Sequence, residues 1–199
     1  MAPHGAHAHV WPERIYSSFN SAITNGVSED GSVYLGPYTR LLYSLFSFDG
    51  PFDVLPGYQI PRQLDSGADP DDSISLVVVD SRGCPVMFME LKDPNTLTTL
   101  IRRASADAQM RLRFVDFDEQ NLSIPILYGI IAYGTRLCFY EHNTSTPLIQ
   151  PPATEFGLLS ENPTVASHWI SDVFEPVGAH RLRGIVDNIK HLNSRMSHL

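Results

Sequence analysis

Lysine is scarce in this chain: of 14 basic residues only Lys92 and Lys190 are lysines, against 22 acids and a formal net charge of −8. That balance, with a pI near 5.4, argues against tight non-specific nucleic-acid binding, which draws on an excess of positive charge. Cysteine is equally scarce. Cys84 and Cys138 are the only two, both in apolar strand-like contexts, and they read as reduced buried thiols of an intracellular protein, cytoplasmic or nuclear. No apolar run approaches about 18 residues, so no membrane-spanning helix is expected. The opening MAPHGAHAHVW lacks the basic and apolar regions of a secretory leader. Also missing are a P-loop, a G-x-G-x-x-G fingerprint and a G-x-S-x-G elbow, which removes the usual sequence support for nucleotide, dinucleotide and serine-hydrolase chemistry. His142, His168 and His180 stand alone without metal-ligand spacing and read as surface or satisfied histidines.

What is present is enough apolar sequence, 43% of 199 residues, for one well-cored domain. Residues 1–11 are small, His-rich and aperiodic and read as a disordered tail, with a single domain over 12–199. His4, His7 and His9 in that tail read as solvated rather than metal-binding. Helical spacing marks Glu13–Ile23, Pro37–Phe48, Thr96–Phe117 and Gly184–Leu192. Phe52–Pro61, broken by prolines, reads as an irregular edge strand, and Leu64–Asp72 as an acidic loop. Ile124–Ala132 and Thr135–Tyr140 read as antiparallel strands hinged at Tyr133-Gly134, and residues 141–166 as loop. The order predicts an α/β (α+β) fold with a central mixed β-sheet flanked by helices.

The informative stretch is Ser73–Lys92, SISLVVVDSRGCPVMFMELK, two apolar strands joined at Arg82-Gly83. Side chains alternate along a strand, so Glu90 and Lys92 share a face. A carboxylate and an ammonium at the end of a buried strand are unfavourable unless paired or put to chemical use. One such use is phosphodiester hydrolysis, which needs two acidic ligands for Mg²⁺ or Mn²⁺ and a cation near the attacked phosphate.

On those residues the chain resembles the PD-(D/E)xK nuclease superfamily, the restriction-endonuclease-like fold, whose order is helix, strand, hairpin, helix, strand. The segments PVMFMELKDP, RRASADAQMRLRF and IPILYGIIAYGTRLCFY are also similar to uncharacterised basidiomycete fungal proteins carrying this core. The resemblance implies a metal-dependent phosphodiesterase, or nuclease-like protein, acting on nucleic acid through catalytic Glu90 and Lys92, with Mg²⁺ or Mn²⁺ as cofactor. It allows a homodimer and implies no membrane partner. It further implies that Gln109 on the next helix lines the site, although Arg113 stands where that family branch places an aromatic.

The first acid is where the chain departs from the pattern. A two-residue turn at Arg82-Gly83 would set Ser75 opposite Glu90, where the family has aspartate. A three-residue turn would set Asp72 on the face of Lys92, making Asp72 and Glu90 the metal ligands. Asp69 or Asp71 could also reach in from the loop. Arg103, Arg111 and Arg113 are candidates to bind backbone phosphates, or to pair with the carboxylates of an acidic protein. Two alternatives to the enzyme stand beside it. One is a catalytically degenerate binding or interaction module; the other is an unrelated α+β domain with a Glu90–Lys92 rim salt bridge.

Overall fold

Apolar residues four apart start the chain's helical layer. In the computed structural model, which describes residues 10–25, 31–60, 73–118, 122, 124–146, 148–152 and 170–196, α1 (Glu13–Asn25) buries Ile15 and Phe19. A short 3-10 turn, Ser32–Tyr34, leads into α2 (Leu35–Phe46), which buries Tyr38, Leu41, Leu42 and Phe46. Gly31 before that turn has φ 81°, and a Cβ on it would lie 2.5 Å from the carbonyl carbon of Lys92. This glycine therefore lets the helical layer touch the end of the strand that carries Lys92.

The sheet has seven strands: β1 (Phe52–Gln59), β2 (Ser73–Asp80), β3 (Pro85–Lys92), β4 (Ile126–Tyr133), β5 (Arg136–Asn143), β6 (Leu148–Gln150) and β7 (Ile170–Asp172). Their order is β1-β2-β3-β4-β5, with β6 and β7 sharing the outer edge of β5. β3 and β4 run parallel and the other neighbours antiparallel, so the sheet is mixed, as expected. The crossover between the parallel strands carries α3 (Leu100–Asp118), and α4 (Pro176–Met196) closes the described chain.

Helices cover both faces. One face packs on α1, α2 and α4 through Phe19, Tyr38, Met87, Met89, Ile130 and Leu182; the other packs on α3 through Val77, Phe88, Met110, Phe114, Phe117 and Ile131. β3, buried from Pro85 to Leu91, is therefore a sheet-centre strand with both sides covered.

The hairpin combines the two expected turns. Three residues, Ser81 to Gly83, form the tip, because the Asp80 N–H donates to Cys84 O at 2.9 Å and the Gly83 N–H to Asp80 O at 2.8 Å. Pro85, which has no N–H for the ladder, then sits in a bulge. Val79 faces Pro85 but Val78 faces Met87. Val86 and Met87, although consecutive, both join the α1/α2/α4 core. That extra residue restores the pairing Leu76–Met89, and just beyond it the Leu91 N–H meets the Ser75 hydroxyl. The loop is the long one, and the strand pairing is that of the short one.

Boundaries moved elsewhere too. β6 and β7 lie where no strand was expected, and α4 begins eight residues before the predicted Gly184. Gly178 explains part of this. It sits inside α4, where only a glycine fits, because a Cβ there would lie 2.1 Å from the Asp172 carbonyl oxygen.

Candidate functional site

Glu90 and Lys92 leave β3 toward α3, as strand alternation requires. Glu90 is 4% exposed. Its Oε1 accepts from Arg113 Nε at 3.2 Å, and its Oε2 lies 3.9 Å from Lys92 Nζ. Lys92 Nζ in turn donates to Gln109 Oε1 at 2.7 Å. Arg113 Nη1 lies 3.6 Å from Asp116 Oδ2. The result is a chain of charges, Lys92, Glu90, Arg113 and Asp116, laid between the end of β3 and the middle of α3. It brings together Glu90, Lys92 and Gln109, three of the four residues singled out as catalytic.

Ser75 occupies the facing position on β2. Its hydroxyl oxygen accepts from the Leu91 N–H at 3.0 Å. A serine so placed ties the hairpin but brings no negative charge. Asp69, Asp71 and Asp72, the other candidate ligands, lie outside the described residues.

Arg113 was expected among phosphate-binding arginines, and the structure places it inside. It falls on the buried stripe of α3 with Ala106, Met110 and Phe117. An arginine on an apolar helical stripe is the sequence signal for a buried ion pair, and the buried strand carboxylate it meets is Glu90. Arg111 is engaged as well: Nε donates to Asp107 Oδ2 at 2.8 Å and Nη2 to Pro151 O at 2.8 Å, while Asp107 also accepts from Tyr140 OH. Arg103 differs from both. Its Nε is buried without a hydrogen-bond partner, and its charge acts on Tyr133 and Cys138.

Burial dominates the titration of this face. It pushes the Cys138 thiol up to about 12, helped by the Asp107 carboxylate. The same two causes raise the Tyr140 phenol far above its ordinary range. These groups are neutral at physiological pH. His142, which reads as a surface or satisfied histidine, is 4% exposed and places Nε2 at 2.8 Å from Asp118 Oδ1.

A divalent ion of the Mg²⁺ class takes oxygen ligands, at least one or two of them carboxylates. Among the described residues no group of three or more His, Cys, Asp or Glu side chains is placed to hold a metal. Here Glu90 is bound by a guanidinium, and the nearby β2 side chain, Ser75, is a serine. The described residues alone do not make up the donor set of such an ion: they bring one carboxylate, Glu90, whose Oε1 is already engaged by Arg113. A groove of about 980 Å³ lies elsewhere, lined by Arg14, Thr39, Arg40, Tyr43 and Phe48 on the α1/α2 layer.

No family model and no curated protein matches this chain. Among solved structures it is similar to the type IIG restriction endonuclease BpuSI, with a TM-score of 0.38 and 10% sequence identity. The likeness covers 84% of this chain and 16% of that one.

Proposed function

We propose that this chain is a nuclease-fold module that has kept the Glu-x-Lys strand and lost the metal site, so that it acts by binding rather than by cleaving phosphodiesters. One observation carries the reading: Arg113 Nε lies 3.2 Å from the Glu90 carboxylate, both side chains being 5% exposed. A buried carboxylate neutralised by arginine is satisfied without a cation from solvent. Ser75 on the facing strand supports the same conclusion, since its hydroxyl is already used by the Leu91 N–H. In this reading Glu90, Arg113 and Lys92 fix α3 against β3 and set the shape of the surface around them.

The Lys92–Gln109 hydrogen bond at 2.7 Å favours a second reading. In it, an ammonium beside Glu90 is held ready for a Mg²⁺-dependent nuclease whose other acid is Asp72. Calorimetric titration with Mn²⁺ separates the two. A binding module gives no saturable heat below about 1 mM, while Ser75→Asp, which supplies the second carboxylate, gains it. Tight Mn²⁺ binding by the native chain, with plasmid or RNA cleavage lost in both Glu90→Ala and Lys92→Ala, would establish the nuclease instead.

A further inference from the structure

The face of α3 turned away from the sheet is apolar where solvent should favour charge. Ile101 is 67% exposed, Leu112 63% and Val115 56%, and Ser105 and Ala108 between them are also exposed. Ile101, Ala108 and Val115 recur every seven residues, with Leu112 beside them. That is the seam of a helix that packs on another helix.

The charges beside the seam identify what covers it. Arg102 flanks its first turn, Gln109 its middle and Asp116 its end. This order runs against the helix macrodipole, which favours acids at the start and bases at the end; α3 has no acid in its first turn and no base in its last. The arrangement does not serve α3 alone, but it is complementary to itself in reverse.

We propose that α3 packs antiparallel on α3 of a second copy of this chain, about a two-fold axis near Ala108. Ile101 then meets Val115 of the second copy, Ser105 faces Leu112, and Ala108 meets Ala108. The small central side chain lets the axes approach to about 8–10 Å. Arg102 faces Asp116 of the second copy at both ends, and Asp116 keeps 29% of its side chain exposed beyond its contact with Arg113. A parallel pair would instead set Arg102 beside Arg102 and Asp116 beside Asp116. A nucleic-acid partner would gain from the arginines and be repelled by the aspartates at the other end.

Sedimentation velocity and cysteine cross-linking of the full chain test this. The native chain dimerises with a dissociation constant of about 10 µM, as a one-helix contact allows. Leu112→Asp is monomeric at every concentration with an unchanged circular dichroism spectrum. In a Cys84→Ser background, Ala108→Cys gives a disulfide-linked dimer on mild oxidation. Ile101→Cys and Val115→Cys each form no disulfide alone and cross-link when mixed. A native chain that remains a monomer up to about 200 µM overturns the proposal. So does a Leu112→Asp variant that sediments like the native chain, or Leu112→Cys cross-linking as fast as Ala108→Cys, the mark of a parallel pair.

Discussion

Two buried carboxylates sit on the one hairpin, and they are neutralised in opposite ways. Asp80, 1% exposed at the end of β2, is satisfied within four residues. Its Oδ1 accepts from the N–H groups of Arg82 and Cys84 at 2.9 and 3.0 Å, and its Oδ2 from the Arg82 side chain at 2.9 Å. Glu90, 4% exposed at the end of β3, takes its partners from Lys92 on the same strand and from Arg113, 23 residues away on α3. The first is a turn that folds itself; the second is a tertiary clamp. A buried acid is therefore not by itself a sign of chemistry: what decides is whether its partners leave room for a ligand, and here neither acid's described partners do.

Removing one half of the tertiary clamp has the largest expected effect. Arg113→Met takes the guanidinium away from the buried Glu90 carboxylate and should destabilise the fold by about 3 kcal/mol. Glu90→Leu alone removes the buried partner of Arg113, which keeps Asp116 at 3.6 Å, and should cost somewhat less. The double variant should recover most of the loss, because two apolar side chains of similar volume replace both charges. Urea unfolding of the four proteins measures the cycle. Equal, additive losses with no recovery would mean that Glu90 and Arg113 are not coupled, and the contrast with Asp80 would collapse.

That contrast also explains how far the sequence could be read. Local signals were enough for Asp80, a turn residue by its position before Ser81-Arg82-Gly83, and for the shared face of Glu90 and Lys92. The helices α1 to α3 and the β4–β5 hairpin follow from apolar spacing. Non-local facts were harder. The bulge at Pro85 cannot be counted from residue numbers, so the turn alone does not decide between Ser75, which alignment favours, and Asp72; the pairing of Leu76 with Met89 has the register of the shorter turn. Arg113 was read by its charge as surface when its position on the stripe of Met110 and Phe117 places it inside. The edge strands β6 and β7 are three residues each, too short for alternation to register; they exist because β5 offers them an open edge. At the end of α3, Asp116-Phe117-Asp118 reads as a solvated terminus, yet Phe117 is fully buried, its ring 5.0 Å from that of Phe88.

The local turn should respond more gently. Asp80→Asn keeps one acceptor for the backbone N–H groups but gives up the charge that Arg82 and those amides meet, an expected loss of about 2 kcal/mol. Arg82→Ala should cost less than about 0.5 kcal/mol, since that side chain is half exposed and its ion pair is screened. The order Arg113→Met above Asp80→Asn above Arg82→Ala in the same urea experiment sharpens the comparison. Asp80→Asn matching Arg113→Met would show that the turn, not the clamp, holds the hairpin to the fold.

The smallest effect reads the Asp80 charge through its neighbour. Burial raises the Cys84 thiol above its ordinary value, the Asp80 carboxylate raises it further, and Arg82 opposes the rise. A raised thiol pKa means less thiolate at a given pH, so alkylation of Cys84 climbs with pH later than in an exposed peptide. Asp80→Asn removes one of the two raising causes and should shift that climb to lower pH, speeding labelling at pH 8 by a few-fold; Arg82→Ala should slow it. Glu90→Gln should leave the Cys84 profile where it is, because the Glu90 carboxylate is not among the charges that shift this thiol. Cys138, pushed up to about 12 by burial, should stay unlabelled until the chain unfolds. Its sign is the same in stability: the protonated thiol is favoured in the fold, so its contribution is complete below pH 9 and lost between 9 and 12. A Cys84 rate that follows Glu90→Gln rather than Asp80→Asn would place the two carboxylates in one electrostatic unit, against the separation drawn from their partners.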